Sequence, residues 1–401
     1  MSTPSPLPPP VGPEGPADEM SVDSDFAPLA DQFFSMFRSR ASGGGALTVY
    51  HRGKKVVDVW AGWENRHQRW QHDTVALSFS TGKGVASTVV HRLAERGVLD
   101  YEARVADYWP EFGAAGKEAI TVRELLSHRA GLHRIRGLVP EGDQLMDHAL
   151  VTSKLAAAPA SPKRFFGPGY HAITYGALVA ELTSRASGCS FTELVRTEVA
   201  EPLGVDELWF EVPREERYRI ASTFPRITPL MLPWGPTSSA LSRLPGVRNI
   251  ADAGMPAGFD ALVRNPELHD SAMPGWNGVF GSRALAKMYA ALAASGSVEG
   301  RTLLHADTVG QLSEIQTTAR DYVLGIPMNW RLGYHAGMIS ARHQPRLAFG
   351  HYGLGGSGAF ADPESELAVA FVSNRLGNRA NPIADLRLPR LGAAAQTLAR
   401  A

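Results

Sequence analysis

Apolar residues recur along this chain with two periods, and the dominant period changes with position. Near the start, Phe26, Leu29, Phe33, Phe34 and Phe37 fall on one face of a helix that Asp25 can cap. Ser42-Gly43-Gly44-Gly45 breaks it. Two segments rich in β-branched and aromatic residues follow, 46–51 and 54–62, joined by Arg52-Gly53, and read as a hairpin. From residue 80 to about 273 helical spacing takes over. Val85, Ala86, Val89, Val90 and Leu93 predict a helix behind Ser80, with Gly97 able to end it. Residues 120–126 form a short amphipathic helix capped by Thr121, with Glu124 three residues on to complete a capping box. Leu178, Val179 and Leu182 point inward from a helix over 174–187, and a proline-rich connection covers 225–236. Beyond Gly275 a helix over 282–294 gives way to candidate strands at 322–324, 328–333, 346–349, 358–361 and 367–373. Asp362-Pro363-Glu364 turns between the last two, and a final helix covers 391–400, after Pro389.

Strands at both ends with helices between them predict an α+β fold. One antiparallel sheet flanked by helices is built from both termini (25–79 plus 275–401), with a mostly helical lobe, 80–274, inserted. The cleft between such lobes is the natural place for chemistry. Residues 1–24 are proline-rich and read as a disordered tail.

Composition narrows the function. The chain has 401 residues, enough for a large core, and its 40 basic and 40 acidic residues leave no electrostatic footprint for nucleic acid or for an acidic membrane, so neither is an expected partner. Cys189 is the single cysteine, so no internal disulfide forms and no Cys/His spacing for zinc exists. No apolar run approaches the ~20 residues of a membrane span. Met1 to Met20 lacks the basic and apolar regions of a secretory signal. These features point to a cytoplasmic protein with neither a metal nor an organic cofactor.

One tetrapeptide carries candidate chemistry. Ser80-Thr81-Gly82-Lys83 is the only serine followed at the third position by lysine. On a helix the two share a face, which brings the amine to the hydroxyl. A helix start also presents free N–H groups where an oxyanion would form. Two companions follow in order: Pro168-Gly169-Tyr170-His171-Ala172, and the glycine-rich stretch from Gly350 through His351, Tyr352, Gly353, Leu354, Gly355 and Gly356 to Ser357. His128, after the 120–126 helix, reads as a residue tying down a helix end rather than as a base. Trp234, Trp276, Trp330 and Met328 read as core or loop anchors rather than as an acyl pocket.

With these three motifs in order, the chain resembles the serine β-lactamase and penicillin-binding-protein superfamily. The branch it resembles is that of the class C β-lactamase-related esterases, the family VIII carboxylesterases. The resemblance runs from about Ala46 to Asn374. It implies that Ser80 is the nucleophile forming an acyl-enzyme, and that Lys83 and Tyr170 share its proton, either of them as base. It implies an oxyanion hole from the backbone N–H groups of Ser80 and Leu354, and substrate contacts at His351, Gly353 and Gly355. Two departures are informative. Ala172 stands where that superfamily's Tyr-x-Asn has asparagine, and His351 stands where Lys-Thr-Gly has lysine. A permanent cation for a substrate carboxylate is thereby lost. The expected substrate is a small-molecule carboxylic ester of short to medium acyl chain. A β-lactamase, DD-peptidase or acyltransferase using the same residues is the alternative, and a silent scaffold or acyl-binding module the alternative of another class. Ser78-Phe79-Ser80-Thr81-Gly82 half matches the Gly-x-Ser-x-Gly elbow of α/β-hydrolases, but lacks its first glycine and any βαβ setting.

Overall fold

Alternation decides which side of each strand meets which helix. In the run 367–373, Leu367, Val369 and Phe371 share one face while Ala368, Ala370 and Val372 share the other, and every one of them is buried. The large face packs on the two terminal helices, Ala27–Ser35 and Arg387–Ala399, through Leu29, Phe33, Leu388, Leu391 and Ala395. The alanine face admits the alanine-rich helix Ser282–Ala293, where Ala284, Leu285, Met288 and Tyr289 are buried. With helices on both faces, the strands lose the polar alternation of a half-exposed sheet.

The computed structural model describes residues 19–223, 245–254, 256–337, 345–376 and 385–401. Its strands are β1 (Ser21–Val22), β2 (Gly44–His51), β3 (Lys54–Gly62), β4 (Ala76–Phe79), β5 (Leu208–Trp209), β6 (Gly278–Phe280), β7 (Ser297–Val298), β8 (Arg301–Thr302), β9 (His335–Ala336), β10 (Phe349–Tyr352), β11 (Gly358–Asp362) and β12 (Leu367–Ser373). The main sheet has seven strands in the order β1-β3-β2-β12-β11-β10-β9, all neighbours antiparallel. N-terminal β2 thus pairs with C-terminal β12, from Gly45↔Ser373 to His51↔Leu367. A smaller sheet, β4-β6-β5, links this layer to the helices.

Several sequence expectations meet the structure closely. The hairpin forms with its second strand at the expected bounds, and the helix Thr174–Ser187 has the expected ends. Thr121 and Glu124 form a reciprocal capping box on Val122–Leu126. Others shift. Ser21 and Val22 pair with Asp58 and Val57, so the stretch expected to be a tail up to residue 24 already carries an edge strand; residues 1–18 lie outside the described part. Residues 322–324 form a turn, and within 328–333 only Trp330 pairs, with Thr317. The strand expected at 346–349 starts at Phe349, where pairing with Ala336 begins. The last helix starts at Arg387, before Pro389, because a proline in the first turn displaces no intrahelical N–H bond. The connection 225–236 and Trp234 lie outside the described residues.

Candidate active site

Ser80 stands in the turn between β4 and the helix Gly82–Glu95. The residue before it, Phe79, is held at φ +49°. A left-handed backbone at a non-glycine residue costs about 1 kcal/mol and persists only where the surroundings impose it. Here Thr81 does so: its Oγ1 donates to Ser357 O at 3.1 Å and its N–H to Ser78 O at 3.2 Å. The same bond draws the glycine-rich loop against the serine turn. A Cβ on Gly353 would lie 2.1 Å from Ser78 O, so only glycine allows this approach. The N–H of Gly353 is itself occupied, donating to Ser357 O at 2.7 Å. The N–H groups of Ser80 and Leu354 donate to no acceptor among the described residues.

Lys83, the second residue of the helix Gly82–Glu95, is fully buried. Its Nζ lies 2.8 Å from Ser80 Oγ, 2.7 Å from Ala172 O and 2.5 Å from Gly275 O. No carboxylate pairs with it among the described residues, and burial pushes its pKa well below the ordinary lysine value. Gly275 O reaches this point because the loop carrying it lies on the helix Thr174–Ser187 at Gly176. The Tyr170 hydroxyl hydrogen-bonds Ser80, and the Tyr170 ring centroid lies 5.2 Å from Lys83 Nζ. Burial raises the Tyr170 pKa, the bond to Ser80 opposes that, and the charge of Asp321 adds to it.

Asp321, which no sequence motif marks, holds Tyr170 in place. It is buried and accepts from the backbone N–H of Val323 and Leu324, both at 2.9 Å, and from Trp330 Nε1 at 3.0 Å, with the backbone N–H of Tyr170 nearby. The Trp330 ring in turn stacks on Tyr170, centroids 5.4 Å apart and planes 15° from parallel. His128 closes the other side. It sits at φ +59°, its ring 5.1 Å from that of Tyr170, and its Nδ1 accepts the His171 N–H at 3.2 Å. It is thus a buried neutral structural histidine, as its place after a helix end implied.

His351, on β10, stacks near Tyr170 with centroids 6.2 Å apart. Its Nδ1–H donates to Tyr352 O at 3.2 Å, and its buried Nε2 has no partner. Burial first, then the neighbouring His335 and Lys83, press its pKa well below the ordinary histidine value, so it is neutral at pH 7. Gly355 faces away from this cluster. At φ +89°, it packs on Leu376, and its carbonyl accepts from Arg387 at 2.8 Å. Gly355 thereby bends the loop. Ser80, Lys83, Tyr170, His351 and Gly353–Leu354 come together, and among the described residues no histidine–acid pair of the elbow kind reaches Ser80. Among the described residues no cluster of His, Cys, Asp or Glu could hold a metal ion.

A seven-stranded antiparallel sheet, helices on both its faces, and a serine–lysine–tyrosine cluster where helices meet β10 define the β-lactamase and penicillin-binding-protein fold. The chain belongs to the β-lactamase family, whose model matches residues 23–394. It is 39% identical over 368 residues to the esterase/beta-lactamase LipL of Mycobacterium tuberculosis, covering 89% of this chain and 82% of that protein. Among solved structures it is similar to a family VIII carboxylesterase, with a TM-score of 0.82 and 31% identity, over 95% of this chain and 100% of that one. A penicillin-binding protein homologue from Caulobacter crescentus has a TM-score of 0.79 and 31% identity, again over 95% of this chain and 100% of that one.

Proposed function

We propose that this enzyme hydrolyses neutral carboxylic esters of short to medium acyl chain through an acyl-enzyme on Ser80. The observation that carries this is the surroundings of Lys83. A neutral amine has two N–H groups and one lone pair. Ala172 O and Gly275 O accept the two N–H groups, which leaves the lone pair for the Ser80 hydroxyl. The proton affinity of Lys83 is lowered and that of Tyr170 raised, so Lys83 serves as the base that takes the serine proton. Tyr170 stays protonated and hands a proton between Ser80, the leaving alcohol and, later, the attacking water. The free N–H groups of Ser80 and Leu354 receive the oxyanion.

The ester preference rests on His351 and Ala172. A neutral, buried imidazole offers no fixed charge to the carboxylate of a penicillin or a D-Ala-D-Ala peptide. A cytoplasmic location belongs to the same proposal, supported by a single, exposed and unpaired cysteine. No described helix is long and apolar enough to cross a membrane. Hydrolysis of p-nitrophenyl esters of graded chain length beside nitrocefin tests the substrate reading. Ester turnover that exceeds nitrocefin turnover and vanishes in Ser80→Ala supports it. Nitrocefin turnover equal to that of the esters overturns the preference.

A further inference from the structure

Two large apolar side chains stand in solvent on the segment that leads to Tyr170. Phe165 is 77% exposed and Phe166 88%. They end the 3-10 turn Pro162–Phe165, with Phe166 as its cap, and that turn is braced from behind. Ser161 N–H donates to Gly131 O, while Arg164 pairs with Glu124 and donates to Arg129 O. Gly167 abuts a second loop: a Cβ there would lie 3.2 Å from Arg320 O and 3.6 Å from the Ala319 Cβ. That loop exposes another apolar side chain, Ile326.

The charges beside these tips are one-sided. Lys163, Arg320 and Arg134 are exposed, and none makes an ion pair among the described residues. Lys163 and Arg134 converge on the same buried histidine, His133, which bonds Tyr322 beneath Gly169. The nearby carboxylate of Glu124 is engaged by Arg164 and Arg129. Single exposed apolar residues are ordinary on protein surfaces. Adjacent phenylalanines on a braced turn beside unpaired cations match the pattern of surfaces that enter a headgroup layer.

We infer that residues 162–167 and 320–327 dock this enzyme on an anionic lipid membrane, with Phe165 and Phe166 entering the headgroup–acyl boundary. The occupant follows from charge, because cations without a carboxylate partner gain from anionic headgroups and little from a neutral surface; among the described residues Lys163 has only the Tyr322 ring, 5.8 Å from its Nζ, and no ion pair. Only three residues, at most about 15 Å of chain, separate Phe166 from Tyr170. The docked enzyme therefore holds its reactive serine near the lipid, and its substrates are esters carried in that phase. This last consequence rests on the ester reading above; the docking does not.

The test is co-sedimentation of the full chain with vesicles of phosphatidylcholine alone, and of phosphatidylcholine with about one-third phosphatidylglycerol. The wild type is expected to bind the anionic vesicles, to leave them as salt is added, and to bind neutral ones weakly. Phe165→Ser with Phe166→Ser lowers binding on the order of a hundredfold. Lys163→Gln with Arg320→Gln lowers it on the order of tenfold or more. Both variants turn over a water-soluble ester like the wild type, and Ser80→Ala binds vesicles unchanged, which separates docking from hydrolysis. Absence of binding to anionic vesicles, equal binding to neutral ones, or binding that survives the double phenylalanine replacement overturns the inference.

Discussion

Gly176→Ala is a one-methyl change that reaches the reactive centre without touching it. The added Cβ would stand 1.8 Å from Gly275 N and 2.6 Å from Gly275 Cα, where ordinary contact begins at 3.4 Å. Backbone fills that space, so no side chain can swing aside. The loop at 274–275 has to retreat by well over an ångström, and Gly275 O, now 2.5 Å from Lys83 Nζ, retreats with it. Lys83 then loses one of its two carbonyl partners and the orientation of its lone pair. A displacement of about 1 Å at a reacting group costs on the order of a hundredfold in rate. Overpacking of this kind also costs about 1–3 kcal/mol of stability. The assay is kcat and KM on a p-nitrophenyl ester, beside a urea unfolding curve to show that the variant is folded. A fall in kcat with KM little changed is expected. Wild-type kcat in a folded variant would refute the role given to Gly275 O.

Three other outcomes follow from the same structure. Lys83→Met abolishes turnover and also changes how stability depends on pH. The unfolded chain keeps the lysine proton up to its ordinary pKa while the native state releases it earlier, so wild-type stability rises with pH between those two values. The advantage of the methionine variant is therefore largest at the acid end and shrinks as pH rises; parallel urea midpoints across pH would contradict this. Asp321→Asn puts an NH2 group among three N–H donors, which costs about 1–3 kcal/mol and lowers kcat on the order of tenfold or more as Trp330, on which Tyr170 stacks, loses its anchor; an unchanged kcat would show that Tyr170 is held without Asp321. Phe371→Ala opens the layer between β12 and the terminal helices, where its ring lies 6.3 Å from that of Phe33, and costs about 3–5 kcal/mol with kcat per folded molecule intact. Thermal unfolding with titration of active sites checks it.

What was legible in the sequence, and what was not, divides by the range of the interactions involved. The capping box at Thr121 and Glu124, the hairpin and the helix Thr174–Ser187 depend on neighbours within a few residues, and composition encodes them. Ser80 and Lys83 are related by one helical turn, so their meeting was legible too. Tyr170 was nominated by a motif, but what fixes it was hidden. Asp321 and Trp330 lie some 150 residues away in the chain; Asp321 carries no motif, and Trp330 reads only as a core or loop anchor. The carbonyl of Gly275 was invisible for a further reason, since a backbone oxygen carries no residue type. Residues 328–333 read as a strand, yet within them only Trp330 pairs, and the burial of Trp330, Leu332 and the following Tyr334 serves the site and the helix Gly82–Glu95 rather than a ladder. Gly355 was read by its motif alone, and its bond to Arg387 shows which way it faces.

Intact mass after brief incubation with a p-nitrophenyl butyrate-type ester and with a cephalosporin, followed by peptide mapping, tests the central claim most directly. The account predicts an acyl adduct on Ser80 from the ester, short-lived, absent in Ser80→Ala, and failing to form on the same timescale when Lys83 is replaced. It predicts little adduct from the cephalosporin, because His351 carries no charge for its carboxylate. An ester adduct on another residue would contradict the nucleophile. A long-lived cephalosporin adduct on Ser80 would contradict the ester preference and return the carboxylate-binding role to His351.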